Sequence, residues 1–311
     1  LVEEIQTKRQ YAAKVLISYD IDNEKSKQMI DREIGIMMTV NNPTLIKIYG
    51  FSLIDFHKEP NVTIIMELAR NGSLSEMLDK IRLAQGPIEY SNTTRQIILI
   101  GISRGMKYLH DRNITHRDLS SHNILLDDNL HPIITDFGMA KYFENGHSKI
   151  QSIFGGKPQF MSPEVIKCQP YDRKADIYSF GIIMYQVVTD LIPFSDYQNG
   201  KMTEYDLKDK IVNQNYRPTF DNPIKKSFKK LIERCWSHNS DERPTFKEIF
   251  DKLTDLNSIQ SDESCILDDV DVDELDYYIE SITEKNDPIE KLIDQEETAK
   301  KELIKYKTEN E

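Results

Sequence analysis

The chain has 311 residues, of which 39% are apolar, so it can fold around one large core or two ordinary ones. Its three cysteines, Cys168, Cys235 and Cys265, are widely separated and form no C-x-x-C pair, which argues against metal or redox chemistry and indicates a reducing compartment. No apolar run approaches the eighteen or more residues of a membrane span, so we expect no membrane segment in this chain.

The net charge of −12 is concentrated at the C-terminal end of the sequence. Residues 258–311 contain 18 Asp and Glu against 6 Lys, whereas residues 1–257 contain 34 charges of each sign. A body without net charge offers no broad basic face, so we expect no nucleic-acid partner.

Hydrophobic periodicity predicts a helix and then a strand in the first part of the chain. The helix is indicated by apolar residues that recur at helical spacing, namely Ile30, Ile34, Met37 and Met38. Residues Asn61 to Met66 form a β-type apolar run.

The most informative segment runs from Ile114 to Gly138 and reads I-T-H-R-D-L-S-S-H-N-I-L-L-D, followed by I-T-D-F-G. Phosphoryl transfer from ATP needs a carboxylate that orients the attacking hydroxyl and receives its proton, and it needs oxygen ligands that hold Mg²⁺ against the phosphates. Asp118, Asn123 and Asp136 supply these groups from one short stretch, so they are the candidate chemical centre.

The combination of H-R-D-L-x-x-x-N and D-F-G resembles two signature motifs of the eukaryotic protein kinase family. Further matches follow the order of that family across roughly the first 257 residues, at Tyr11–Lys14, Asn71–Leu74, Ser162–Glu164, Asp176–Gly181, Cys235–Trp236 and Arg243–Pro244. The Asn-Gly-Ser-Leu, Cys-Trp and Arg-Pro matches are similar to the tyrosine-kinase-like group, whose members mostly modify Ser and Thr.

The resemblance implies an α+β bilobal fold with a catalytic domain over residues 1–257. The small β-rich N-lobe would cover residues 1–66 and lack its first strand, the hinge would cover 67–70, and the larger helical C-lobe would cover 71–257. By the same resemblance, Asp176 would hold the catalytic loop from beneath, and Arg243 would form a buried pair with Glu164.

Site roles follow from the resemblance residue by residue. Lys14 would fix the α and β phosphates of ATP and pair with Glu33 on the predicted helix. Asp118 would orient the acceptor hydroxyl, and Asn123 and Asp136 would coordinate Mg²⁺, or Mn²⁺ in its place.

The hinge would bind adenine through backbone groups flanking an apolar slot. Glu67 and Ala69 would supply those backbone groups, and Met66 would be the gatekeeper residue. Ala12 and Leu125 would sandwich the ring.

The polar segment from Met139 to Met161 resembles an activation segment and ends at a variant of the A-P-E motif, Ser162–Glu164. It contains Ser148 and Ser152 as phosphorylatable hydroxyls, and Arg117 next to Asp118 is a cation that could bind a phosphate there. Inert loop serines are the equally weighted alternative.

The chain departs from the family pattern at its beginning. A Gly-rich loop is expected roughly fifteen to twenty residues before the strand lysine, yet the sequence starts thirteen residues before Lys14. We expect that the sequence is a fragment cut just after that loop. If the protein began at Leu1, ATP binding and turnover should be badly weakened.

Two further departures are coupled. Ser120 stands two residues after Asp118, where Ser/Thr kinases usually carry Lys, and Lys157 follows Gly156, where they usually carry Thr. In the family these two positions face each other, so Lys157 could return the missing charge to the transferred phosphate. The alternative is a tolerated loop variant with Lys157 directed to solvent.

After the catalytic domain, residues 258–274 are polar and acidic and are predicted to form a linker. Residues 275–311 are predicted to form an acidic tail of two amphipathic helices, the first through Leu275, Tyr278, Ile279 and Ile282, and the second opening at Pro288. Their apolar faces need a partner, which could be the catalytic domain, another chain or a further module. A solvated tail is the alternative.

The leading hypothesis is therefore a cytoplasmic, ATP-dependent protein kinase in intracellular signalling that modifies Ser and Thr of protein substrates, with dual specificity left open. The rival is a pseudokinase or scaffold that uses the fold and tail for binding alone. A kinase for small molecules fits less well, because the activation segment suits a platform for protein substrates.

Overall fold

A four-stranded antiparallel sheet forms the N-terminal part of the computed structural model, which describes residues 1–17, 24–86, 90–142 and 156–283. The strands are Val2–Glu3 (β1), Gln10–Leu16 (β2), Ile48–Ser52 (β3) and Val62–Met66 (β4), and their order in the sheet is β1-β2-β4-β3. Strand β2 pairs with β4 so that Ala12 lies opposite Met66 and Lys14 lies opposite Ile64. Because side chains alternate along a strand, Ala12 and Lys14 lie on the same face of the sheet.

Helix Glu24–Thr39 (α1) is the one helix of this lobe within the described residues. Ile30, Ile34 and Met37 are buried, as their spacing predicts. Met38 was wrongly grouped with them, since its side chain is 65% exposed. It follows Met37 directly, and one residue along a helix turns the side chain by about 100°, away from the sheet.

The larger lobe is mainly helical and completes the α+β bilobal architecture that the sequence predicts. Its helices are Leu74–Arg82 (α2), Asn92–Asp111 (α3), Pro163–Ile166 (α4), Lys174–Thr189 (α5), Ser195–Gln198 (α6), Glu204–Asn213 (α7), Lys226–Cys235 (α8), Phe246–Leu253 (α9) and Val272–Ile282 (α10). Its short strands are Ile114–Thr115 (β5), Ile124–Leu126 (β6), Pro132–Ile134 (β7) and Lys141–Tyr142 (β8), with β5 paired to β8 and β6 to β7. No described helix is both long enough and apolar enough to cross a membrane.

Helices α3 and α5 form the centre of the core of this lobe, because most of their residues are buried. Gly181 of α5 permits close approach of the end of α8, since a Cβ there would lie 3.0 Å from Cys235 Cβ. The first turn of α2 is fixed by a capping box in which Ser73 and Glu76 bond reciprocally to each other's backbone amides. These rigid helices support the loops on which the functional side chains lie.

The two lobes are joined by main-chain hydrogen bonds as well as by the hinge. The amide of Ile46 donates to the carbonyl of Ile134 at 2.9 Å, and the amide of Ile134 donates to the carbonyl of Thr44 at 2.8 Å. The chain that leaves α1 is thus fastened to β7 before it enters β3.

The segment after the catalytic domain differs from the predicted acidic linker. Ser264, Cys265 and Ile266 are buried, and α10 begins at Val272, three residues earlier than predicted. Although residues 258–274 are acidic on average, they include the adjacent apolar residues Cys265 and Ile266, which pack into the core. Helix α10 buries Leu275, Tyr278 and Ile282 against α3, so the catalytic domain is the partner of this first predicted helix. The second, opening at Pro288, lies outside the described residues.

Candidate active site

The catalytic loop after β5 is held from below by one buried carboxylate. Asp176 of α5 is 1% exposed, and its two oxygens accept hydrogen bonds of 2.9 Å from the backbone amides of His116 and Arg117. The same carboxylate lies 2.9 Å from Nε2 of His110 on α3. Burial alone would raise the pKa of Asp176, but the hydrogen bonds with His110 and with the amide of Arg117 outweigh it, so the pKa is lowered. Asp176 therefore stays ionised and anchors the loop.

Asp118 is oriented by a side chain from the turn that follows it. Nδ2 of Asn123 donates to the carbonyl oxygen of Asp118 at 2.7 Å and to its Oδ2 at 2.9 Å. The amide of Asp118 donates to Nδ1 of His116 at 3.3 Å. Because one amide nitrogen makes both bonds from Asn123, the amide oxygen of Asn123 takes no part in them and can serve as a cation ligand.

The strand β7 brings Asp136 to the same region. Nε2 of His116 lies 3.0 Å from the carbonyl of Thr135, and the amide of Thr135 donates to the carbonyl of Asn123 at 3.0 Å. These two bonds tie the catalytic loop to the residue just before Asp136. His116 was missed as a positioning residue, although it stands inside the H-R-D motif.

Lys14 reaches across from the N-lobe to Asp136. Its Nζ lies 2.9 Å from Oδ1 of Asp136, and the two side chains are 35% and 43% exposed, so both remain open to a ligand. Burial opposes ionisation of Asp136, but the charge of Lys14 and its hydrogen bond lower the pKa of Asp136 below its ordinary value. Glu33 lies in α1, but its side chain lies outside the described residues, so its pairing with Lys14 stays a prediction.

Two of the residues predicted to line the adenine slot lie opposite each other in the sheet of the small lobe. Met66 is buried beside Ala12 across the sheet, and Leu125 on β6 pairs with Ser73 just beyond the hinge. Ala12, Ala69 and Leu125 are only partly buried and pack on the edge of the core, which leaves apolar surface for a planar ring.

Glu67 is fixed by bonds within the small lobe. Its amide donates to the carbonyl of Lys47 at 2.9 Å, and its Oε1 accepts from the amide of Lys47 at 2.6 Å. Burial, which outweighs these partners, raises the pKa of this carboxyl. The side chain and the amide of Glu67 are therefore engaged in the fold, and its backbone carbonyl is the group that could bind a nucleotide.

Arg117 has a partner that the sequence did not indicate. Its Nε donates to the hydroxyl of Tyr171 at 2.5 Å, and Tyr171 is 4% exposed. The predicted phosphate acceptors Ser148 and Ser152 lie outside the described residues. Binding of a phosphate by Arg117 stays a prediction.

Lys157 lies in the same cavity as the predicted catalytic aspartate. It lines a cavity together with Asp118 and Gly156, and a Cβ at Gly156 would come within 3.6 Å of Oδ1 of Asp118. Ser120 is 1% exposed, and its hydroxyl has no hydrogen-bond partner among the described residues. This arrangement agrees with the interpretation that Lys157 supplies charge near Asp118, a role that stays a prediction.

The end of the activation segment is fastened by a buried ion pair. Arg243 is fully buried, and its guanidinium donates two bonds to the carboxylate of Glu164, at 2.6 and 2.9 Å. Burial would raise the pKa of Glu164, but the bonds and charge of Arg243 lower it. The resemblance predicts a buried pair of Arg243 and Glu164, and the structure contains this pair.

The oxygen donors suit a hard divalent cation that is shared with a substrate. Within the described residues no group of three His, Cys, Asp or Glu side chains is arranged to hold a metal by itself. Asp136 and the amide oxygen of Asn123 can provide two protein ligands, and phosphate oxygens of a nucleotide would complete the coordination.

Comparison with known proteins agrees with this geometry. The protein kinase domain family model matches residues 1–253. The chain is 31% identical over 248 residues to the serine/threonine-protein kinase STY46 of Arabidopsis thaliana, which covers 80% of this chain and 40% of that protein.

Two further relatives differ in the acceptors that their names state. The chain is 32% identical over 225 residues to the serine/threonine/tyrosine-protein kinase HT1 of Arabidopsis thaliana, covering 72% of this chain and 54% of HT1. It is 30% identical over 249 residues to the dual specificity protein kinase zak2 of Dictyostelium discoideum, covering 73% and 38%. The chain thus spans about half the length of these relatives or less.

A domain of this kind uses ATP together with a divalent metal. The relatives are consistent with the tyrosine-kinase-like group that the sequence resembles. From the family match and the arrangement of Lys14, Asp118, Asn123 and Asp136, we conclude that this chain belongs to the protein kinase family.

Proposed function

We propose that this chain is the catalytic domain of a Mg²⁺- and ATP-dependent protein kinase that phosphorylates Ser and Thr in protein substrates. The observation that carries the proposal is the convergence of two pairs. Asn123 holds the carboxylate of Asp118, and Lys14 contacts Asp136, while His116 and Thr135 connect the two pairs.

In the proposed reaction the acceptor hydroxyl attacks the γ-phosphorus of ATP, the bond from that phosphorus to the β–γ bridging oxygen breaks, and ADP leaves. Asp118 orients the hydroxyl and takes its proton. Lys14 binds phosphate oxygens. Asn123 and Asp136 would hold Mg²⁺, which neutralises charge on the phosphates when bound.

The main alternative is a binding-only scaffold. A complete set of a lysine, two aspartates and an asparagine with these contacts supports activity, because binding alone does not need it. Dual specificity is a second candidate, and the names of HT1 and zak2, which include tyrosine or dual specificity, favour testing it.

The test is transfer of labelled γ-phosphate from ATP to peptides containing Ser, Thr or Tyr, with the Asp118→Asn variant as the control. We expect transfer to Ser and Thr, and a loss of about 10²- to 10⁴-fold in turnover for Asp118→Asn, the range for removal of a catalytic base. ATP binding by the variant should stay within a few-fold of the wild type. Equal turnover by both proteins, or no transfer by the wild type in any phosphorylation state, would favour the scaffold.

A further inference from the structure

The chain beyond the family-matched residues is attached to the C-lobe by hydrogen bonds with buried polar side chains of α3. Gln96 of α3 is 0% exposed, and its Nε2 donates to the carbonyls of Leu253 and Cys265 at 2.9 and 3.1 Å. Thr93 accepts at 2.8 Å from the amide of Asp271, just before α10. Helix α10 is therefore held in one position along α3.

Tyr278 is the central contact of α10. It is 3% exposed and lies over Gly101 of α3, where a Cβ would come within 2.2 Å of the tyrosine hydroxyl and 2.5 Å of Pro132 Cγ. Its ring centroid lies 4.6 Å from that of His131, in the turn between β6 and β7. A glycine at position 101 leaves room for the hydroxyl end of this side chain, so the α3 surface is shaped to accept Tyr278.

His131 and Asp127 close the turn that Tyr278 covers. The amide of His131 donates to Oδ1 of Asp127 at 2.8 Å, and the amide of Asp127 donates to the carbonyl of His131 at 3.0 Å. Nδ1 of His131 lies 3.4 Å from Oδ2 of Asp127. Although burial opposes it, these contacts lower the pKa of Asp127, which keeps the carboxylate ionised and the turn fixed.

The other side of this turn supports the hinge. Nδ2 of Asn71 donates to the carbonyl of Asp127 at 2.6 Å, and the amide of Asn71 donates to the carbonyl of Leu126 at 3.3 Å. The amide of Leu126 donates to the carbonyl of Gly72 at 2.9 Å. The residue before Leu126 is Leu125, which forms part of the adenine slot.

We propose that α10 is a positioning element for the nucleotide site, in which Tyr278 packs on His131, holds the turn that His131 forms with Asp127, and thereby fixes Asn71 and Gly72 behind the hinge. The inference rests on the proposed function in one respect, since the hinge is taken to bind the adenine of ATP. Tyr278 touches no reacting group; it acts on ATP affinity through the turn, and the chemical step stays with Asp118.

The test compares Tyr278→Leu, which removes the ring but keeps an apolar side chain, with Tyr277→Leu. Tyr277 lies next to it on α10 and is 77% exposed, so it is the matched control. We expect Tyr278→Leu to raise the dissociation constant for ATP and the KM for ATP about 3- to 10-fold, with kcat within about twofold. Tyr277→Leu should bind ATP like the wild type.

The Tyr278→Phe variant should restore wild-type affinity, because it keeps the ring and removes a hydroxyl that has no hydrogen-bond partner among the described residues. Binding is measured directly by calorimetry, so the result does not depend on phosphate transfer. If the Tyr278→Leu protein melts at a lower temperature but binds ATP with wild-type affinity, Tyr278 only stabilises the fold. That result would overturn the proposal.

Amide hydrogen exchange in the unliganded protein provides a second readout. We expect faster exchange at Asn71 and Leu126 in Tyr278→Leu and unchanged exchange in Tyr277→Leu. If the wild type binds no ATP, the proposed function fails, but faster exchange at these amides still supports coupling of α10 to the hinge. Unchanged exchange in Tyr278→Leu overturns that coupling.

Discussion

At the scale of single residues, Lys157 and Asp118 line one cavity, and the position two residues after Asp118 is a buried serine. A cation at Lys157 would stabilise charge that develops on the transferred phosphate. We predict that Lys157→Ala lowers kcat by about 10²-fold, the lower end of the range for loss of a preorganised charge donor. The dissociation constant for ATP should change little.

The measurement is steady-state transfer to a peptide together with calorimetric ATP binding. Lys167→Ala is the matched control, since Lys167 is an exposed lysine ten residues further along. Wild-type turnover in the Lys157→Ala protein would refute the role, and an equal loss in both variants would point to a general charge effect.

The Glu164–Arg243 pair gives a prediction about acid stability. The pKa of Glu164 is lowered in the folded protein, so its contribution to stability is fully present above the unfolded value of about 4.3. It is lost as the pH falls through the lowered folded value. We predict that wild type and Glu164→Gln differ most in unfolding free energy near neutral pH, and that the difference shrinks as the pH falls below the unfolded pKa of about 4.3.

Denaturant unfolding from neutral pH to pH 3 measures this difference. Glu263→Gln is a suitable control, because Glu263 pairs with Lys230 on an exposed surface, where solvent screening leaves an ion pair little effect on stability. A constant difference between wild type and Glu164→Gln across the whole pH range would contradict the prediction.

Residues whose chemistry is local could be predicted from the sequence. Asp118, Asn123 and Asp136 stand in one short stretch, where motif and spacing define them. His110 and Tyr171 could not be predicted, because their partners Asp176 and Arg117 are 66 and 54 positions away. Such roles arise only when the fold brings distant side chains together.

At the scale of elements, the contact between α3 and α10 depends on a glycine. Alanine favours a helix over glycine by about 1 kcal/mol, yet a Cβ at Gly101 would clash with Tyr278 and Pro132. We predict that Gly101→Ala destabilises the protein by about 1–3 kcal/mol, the usual cost of overpacking. Gly35→Ala in α1 should stabilise it by about 0.4–1 kcal/mol, since no atom of the described residues lies within 4 Å of the added atom.

Chemical denaturation of both variants decides between packing and helix propensity. If both glycines respond alike, with alanine stabilising at each position, the close packing of α10 on α3 is contradicted. Opposite signs would confirm that local propensity is overridden at position 101 but not at position 35.

The elements themselves could be predicted where periodicity is strong. Helix α1 and strand β4 follow from the spacing of Ile30, Ile34 and Met37 and from the apolar run before the hinge. The packing of residues 258–274 could not be predicted in this way. The segment is acidic on average, and its two buried apolar residues, Cys265 and Ile266, are too few to form a periodic pattern. Whether two apolar residues form a contact depends on the surface that they meet.

At the scale of the whole molecule, the folded unit extends past the family-matched residues to the end of α10. Full burial of a large apolar side chain contributes about 1.5–3 kcal/mol, and the extension buries Ile266, Leu275, Tyr278 and Ile282. We predict that removal of all residues after 257 destabilises the remaining domain by several kcal/mol, because removal also exposes the face of α3 around Gln96 and Gly101.

Thermal unfolding of two shortened chains tests this, one ending at residue 257 and the other at residue 283. The longer one should melt near the wild-type temperature and the shorter one well below it. Equal melting temperatures would show that the extension lies on the domain without stabilising it.

The sequence by itself determined the family resemblance, the two-lobed α+β fold and the candidate catalytic residues, because these depend on periodicity and on motifs within short stretches of chain. Only the tertiary structure decided that His110 pairs with Asp176, that Arg117 donates to Tyr171, and that α10 packs on α3 with Tyr278 against His131. The physical reason is that burial, ion pairing and ring contact depend on distances between segments far apart in the chain, which local pattern does not encode.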